Sequence, residues 1–149
     1  MVILKGLEAD TIRQKYILSF IDIKSNYYIN KIKKMNFFED GLCYTGYLWD
    51  CYKESIIISE GECENFLFSQ NNLYIMWDIH SAQRIFVPDY WKYGKSNIIF
   101  WEKWKGLDAC KDFPEDIYVF DMSFQWSISF THETDQAKNR YCMFAQRKI

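Results

Sequence analysis

The stretch that most restricts the possible folds is Asp116–Glu133, DIYVFDMSFQWSISFTHE. From Trp126 onward Trp126, Ile128, Phe130 and His132 fall on one side, while Gln125, Ser127, Ser129, Thr131 and Glu133 fall on the other. That is the period of an extended strand, and a helix would scatter both sets around its circumference. The alternation predicts a strand with one buried and one solvated face. Ile117–Asp121 is an almost unbroken apolar and aromatic run preceded by Pro114 and two acids, and it reads as the partner strand. The connection through Asp121, Met122, Ser123 and Phe124 suits a turn, because Asp and Ser side chains bond turn backbone locally. A hairpin at the centre of a small sheet follows.

The remaining elements are read around that hairpin. Asp10 or Thr11 can cap a helix carrying Ile12, Tyr16, Phe20 and Ile23 at steps of three and four. Tyr27, Tyr28, Ile32 and Met35 continue the spacing, but Asp22, Ser25, Asn26 and Asn30 are poor interior helix residues and predict a break or kink near 22–26. Lys31, Lys33 and Lys34 suit the negative end of a helix dipole. Asp40-Gly41 marks a turn, and Leu42–Tyr52 fits neither period cleanly. Ser55–Ser59 reads as a short strand or loop. Ser59 and Glu62 have capping-box spacing before a second helix with Cys63, Phe66 and Leu67. Leu73–His80 alternates as a second clear strand, with Arg84–Val87 as its hairpin mate. Asn97–Trp101 suggests a strand or a short helix entry, and Arg140–Ala145 an edge strand after a polar loop. The expected fold is a single α+β domain over residues 1–149, with a mainly antiparallel sheet of four to five strands packed against N-terminal helices.

Composition supports a packed core. Among 149 residues, 49% are hydrophobic and 19% aromatic, with two prolines, so disorder is not expected. A formal charge of −2 gives no electrostatic case for nucleic acid. MVILKGLEAD is too short an apolar run for a signal peptide, and no stretch has the length of a membrane span, so the expected compartment is the cytoplasm, with no membrane association. The five cysteines are odd in number and show no CxxC, which predicts buried reduced thiols, with Cys43 and Cys51 the nearest pair should a disulfide form. No GxSxG, GxGxxG or Gly-rich phosphate loop is present, and no cofactor is expected.

Several of these segments share a likeness. Arg13-Gln14 with Tyr16 and Phe20, Tyr47-Leu48-Trp49, Leu73–Met76, Asp116–Asp121, Phe124-Gln125-Trp126 and Thr131-His132-Glu133 together resemble a family of small bacterial proteins of Bacillus-like organisms. The D-I-Y-V-x-D, F-x-W and T-H-E elements are the distinctive ones. Asp50 stands where that family often carries a histidine, and its Gly-Pro-Tyr-Phe ending is absent, which weighs against a shared catalytic histidine. The resemblance implies a common fold and carries no known activity.

Two kinds of chemistry are open to these residues. Asp78, His80, His132 and Asp121 lie near predicted strand ends and could serve acid–base chemistry or, should the ends converge, a metal, although no spacing demands one. Tyr90, Trp91, Tyr93, Trp101 and Trp104 crowd a segment interleaved with lysines; these rings either fill the core or anchor a protein interface. Asp108, Asp112 and Glu115, with Asp116, would then face a basic cleft on the partner, or else simply line a solvated loop. The leading expectation is a protein-binding domain, in its most concrete form an immunity or antitoxin-like inhibitor of a toxin domain. The rival is a metal-dependent or acid–base enzyme using Asp78, His80 and His132.

Overall fold

The computed structural model describes residues 1–38, 41–79 and 93–147. In chain order these form β1 (Val2–Leu4), α1 (Gly6–Phe20), a π-helical turn (Tyr28–Ile32), β2 (Asn36–Phe38), β3 (Gly41–Cys43), a 3-10 turn (Leu48–Cys51), β4 (Ile56–Ile58) and α2 (Glu60–Phe68). There follow β5 (Asn71–Trp77), β6 (Ile98–Lys103), a second 3-10 turn (Leu107–Cys110), β7 (Ile117–Asp121), β8 (Trp126–Thr134) and β9 (Arg140–Gln146). Seven strands make one sheet in the order β1-β6-β5-β7-β8-β9-β4, and β2 and β3 make a separate two-stranded sheet. Every pairing is antiparallel.

This overturns the expected four or five strands leaning on N-terminal helices. The chain is mostly sheet, its helical segments are short, and they cover both faces. One face packs Tyr16, Phe20, Met76, Tyr118 and Phe120 beneath α1 and Leu48. The other packs Leu67 of α2 with Trp77, Trp101, Trp104, Ile128 and Phe130. With apolar cover on each side, central strands need no wet face.

The β7–β8 hairpin is as expected and lies mid-sheet, pairing Ile117 with Phe130 and Val119 with Ile128. Its supposedly solvated side is buried: Ser127, Ser129 and Thr131 are 0%, 0% and 1% exposed. Thr131 Oγ1 donates to Tyr141 O at 2.8 Å, and for Ser127 and Ser129 the reason is a set of tyrosine hydroxyls. Tyr16 Oη lies 2.6 Å from Ser127 Oγ and 2.7 Å from Tyr52 Oη, and Tyr52 Oη also meets Ser129 Oγ. Small hydroxyl side chains leave room for these rings, and the rings satisfy the hydroxyls.

α1 starts at Gly6, several residues before Asp10 and Thr11, and buries Ala9, Arg13, Tyr16, Ile17 and Phe20 along one stripe. Its end agrees with the predicted break, since the Asp22 N–H leaves the helix for Cys51 O at 2.8 Å. α2 carries the expected cap, with Ser59 Oγ accepting from Glu62 N at 3.1 Å. Arg140–Gln146 is an interior strand, because Ile56–Ile58 pairs along its outer side and forms the sheet edge. Ile98–Lys103 is a strand rather than a helix entry. The expected Arg84–Val87 strand lies outside the described residues. All five cysteines are buried and free, and among the described residues no helix is long and apolar enough to cross a membrane.

Candidate functional site

Sheet register gathers three polar residues at one end. Trp77 pairs with Ile117, and Ile117 with Phe130, so Asp78 and Asp116 sit at the ends of β5 and β7, and His132, still within β8, lies just beyond them. The segment from Tyr44 to Asp50 closes over them.

Asp78 is the inner member, 1% exposed. Its Oδ1 accepts from Tyr44 Oη at 2.8 Å and Leu48 N at 3.0 Å, and its Oδ2 from Tyr118 Oη at 2.6 Å. Tyr118 Oη in turn accepts from Trp49 N at 3.0 Å. Burial, reinforced by the Asp78 charge, pushes both phenols well above their ordinary pKa, so they remain donors. Asp78 therefore fastens the 44–50 segment to the sheet. Nearby, the buried Arg13 donates through Nη1 to Trp77 O at 2.9 Å.

His132 is the outer member. A register irregularity falls between Phe130 and Thr134, and the imidazole lies against Tyr47 and Trp49, with ring centroids 5.3 and 6.1 Å away. Its Nδ1 is 3.1 Å from both carboxylate oxygens of Asp116, and its own backbone N–H reaches Asp116 Oδ1 at 2.8 Å. Asp116 is almost fully buried while the His132 side chain is 40% exposed. A carboxylate at Nδ1 favours the tautomer with its proton there, which turns the Nε2 lone pair away from Asp116. Asp50 stands beside this pair. Burial raises its pKa, Glu133 and Asp116 raise it further, and the Tyr27 hydroxyl at 3.1 Å and His132 oppose the rise. Among the described residues, no group of three or more His, Cys, Asp or Glu could hold a metal ion.

The expected site residues divide. Asp78 and His132 do share one end of the sheet, but each is committed to a different set of partners. Asp121 belongs to the opposite end of β7, where it binds Ser123 N at 2.9 Å and Trp126 Nε1 at 3.2 Å as a turn residue. His80, Tyr90 and Trp91 lie outside the described residues. Trp101 and Trp104 are 3% and 4% exposed; they are core rings, because β6 is an interior strand with α2 over it, and they are not available to a partner. Tyr93 is half-buried and packs on Phe113 with centroids 5.5 Å apart. Asp108, Asp112 and Glu115 are exposed, and Asp108 and Glu115 line a surface cleft of about 440 Å³ with Glu60, Lys111 and Arg140.

Sequence reasoning missed the Asp116–His132 pair as a unit, although both fall in the most legible stretch of the chain. It also missed Phe37, 85% exposed, and Leu42, 46% exposed, which face each other across β2 and β3. The Phe37-Phe38 run was visible, but nothing in its spacing says that it stays outside the core. Comparison with protein-family models, with curated proteins and with solved structures found no match.

Proposed function

We propose that this chain is a protein-binding domain that docks a basic partner, an immunity-type inhibitor seated on a toxin domain being its most specific form. The observation that carries this reading is the Phe37–Leu42 pair, held in solvent on a hairpin outside the main sheet. Burying a side chain such as Phe37 stabilises by about 1.5–3 kcal/mol, a gain this chain leaves to an occupant. Exposed apolar side chains grouped on one element mark interaction surfaces more often than scattered ones do. The sign of the partner comes from the exposed carboxylates Asp50, Asp108, Asp112, Glu115, Glu133 and Asp135. Exposed carboxylates would favour encounter with a basic surface.

The test is capture from the native cell with the wild-type chain and with a Phe37→Ser variant, followed by identification and purification of the retained protein. The purified partner should be basic, should associate more slowly as salt is raised, and should lose at least about tenfold in affinity for Phe37→Ser, as for loss of an anchor residue. Equal affinity for the two chains would remove the hairpin from the interface and the proposal with it.

A further inference from the structure

Cys43 ends β3 and is fully buried. Lys95 sits in a tight turn before β6, closed by Asn97 N to Gly94 O at 3.0 Å. The two side chains meet with Lys95 Nζ only 2.8 Å from Cys43 Sγ. That is the span of an N–H···O hydrogen bond, although sulfur is the larger acceptor. Atoms this close are already near the spacing that one bridging oxygen would impose on them. Among the described residues, the other four cysteines have no lysine nitrogen within hydrogen-bond reach of sulfur.

We propose that Cys43 and Lys95 form an oxidative cross-linking site, joined through a nitrogen–oxygen–sulfur bridge when a small hydroperoxide is present. The proposal stands apart from the docking surface and does not depend on it. In the first step the sulfur attacks the peroxide O–O bond, giving a sulfenic acid and water. In the second, a further peroxide oxidises the adjacent neutral amine and sulfenic acid together; the N–O bond forms, and one N–H and the S–O–H hydrogen leave as water. One thiol, one amine and two hydrogen peroxides thus yield one bridge and three waters. Sulfur and nitrogen each give up two electrons, and the two peroxides take all four. The ammonium proton is released to solvent beforehand. The bridge would pin β3 to the turn ahead of β6, one residue from Tyr44, which holds Asp78.

The experiment treats the full chain with hydrogen peroxide, quenches with catalase, digests, and reads peptides by mass spectrometry. A linked Cys43–Lys95 peptide pair should appear with the summed mass plus one oxygen minus two hydrogens, and should separate on treatment with dithiothreitol. Lys95→Arg, which keeps the charge and is checked for native circular dichroism, should abolish that species, as should Cys43→Ser. Cys43 found only as free thiol or as sulfinic or sulfonic acid would overturn the proposal, as would a species of the same mass in Lys95→Arg. Should Cys43→Ser fail to fold, the Lys95→Arg comparison decides alone.

Discussion

Replacing Tyr118 by Phe deletes one oxygen from a fully buried junction without changing the packing of the ring. That oxygen donates to Asp78 Oδ2 at 2.6 Å and accepts from Trp49 N at 3.0 Å. A hydrogen bond to a charged group contributes about 1.5–3 kcal/mol, and a buried N–H left without a partner costs about 1–3 kcal/mol. Tyr44 and Leu48 N still hold the carboxylate, which tempers the first loss, so about 3 kcal/mol is expected for the substitution. For a chain of this size that lowers Tm by about 6–12 °C. Urea unfolding should show the shift as a lower midpoint with an unchanged slope. Tyr141→Phe is the control, since Tyr141 is 41% exposed and should move stability by no more than about 0.5 kcal/mol. Tyr44→Phe and Tyr118→Phe share one acceptor, so their combined effect should depart from additivity. A Tyr118→Phe loss no larger than that of the control would refute the view that Asp78 fastens the 44–50 segment to the sheet.

Three further outcomes are expected. Burial and neighbouring carboxylates raise the Asp50 pKa, so the stability linked to its protonated form is present below the ordinary Asp range and lost as pH rises through the folded value; Asp50→Asn should stabilise at pH 7 by less than about 1 kcal/mol after solvent screening, with the gain vanishing in acid. A variant with no gain at pH 7 would count against that burial. Gly46→Ala should destabilise by about 1–3 kcal/mol through overpacking, because an added Cβ would stand 2.7 Å from Lys31 Cβ; thermal melts unchanged from wild type would contradict this. Burial lifts the Tyr52 hydroxyl to about 12 and Tyr16 well above its usual value of 10.0, so their contribution to stability holds below pH 10 and is lost as pH climbs toward 12 and beyond. Phenolate absorbance at high pH should therefore come in two stages, exposed tyrosines first and the buried ones with unfolding, whereas a single ordinary titration would exclude the buried hydroxyl network.

Local signals in the chain were legible where one neighbour decides the outcome. The Ser59–Glu62 cap needs only four residues of backbone, and the Trp126, Ile128, Phe130 alternation needs only the pleat. Burial of Ser127 and Ser129 was not legible, because it depends on Tyr16 and Tyr52, both far away in sequence. Strand number failed for a related reason: β1 and β4 are three residues each, too short to show a period, and they become strands only by pairing with β6 and β9. At the candidate site, Asp78 and His132 read from the sequence as strand-end residues; Asp78 directly follows β5, while His132 lies within β8. Their partners were not legible, since Asp116 reaches His132 only through the β7–β8 register, and Asp121 lies at the opposite end of the same strand.

The order of the strands also bears on how the chain is made. Among the described residues β4 pairs only with β9, far later in the chain, and β1 waits for β6. Until β9 has been synthesised, the Ile56-Ile57-Ile58 triplet lacks that partner. Until then the growing chain carries an unpaired apolar segment, and pairings this distant in sequence form slowly. Deletion of β9 should leave that segment unpaired and yield aggregate rather than a smaller folded protein.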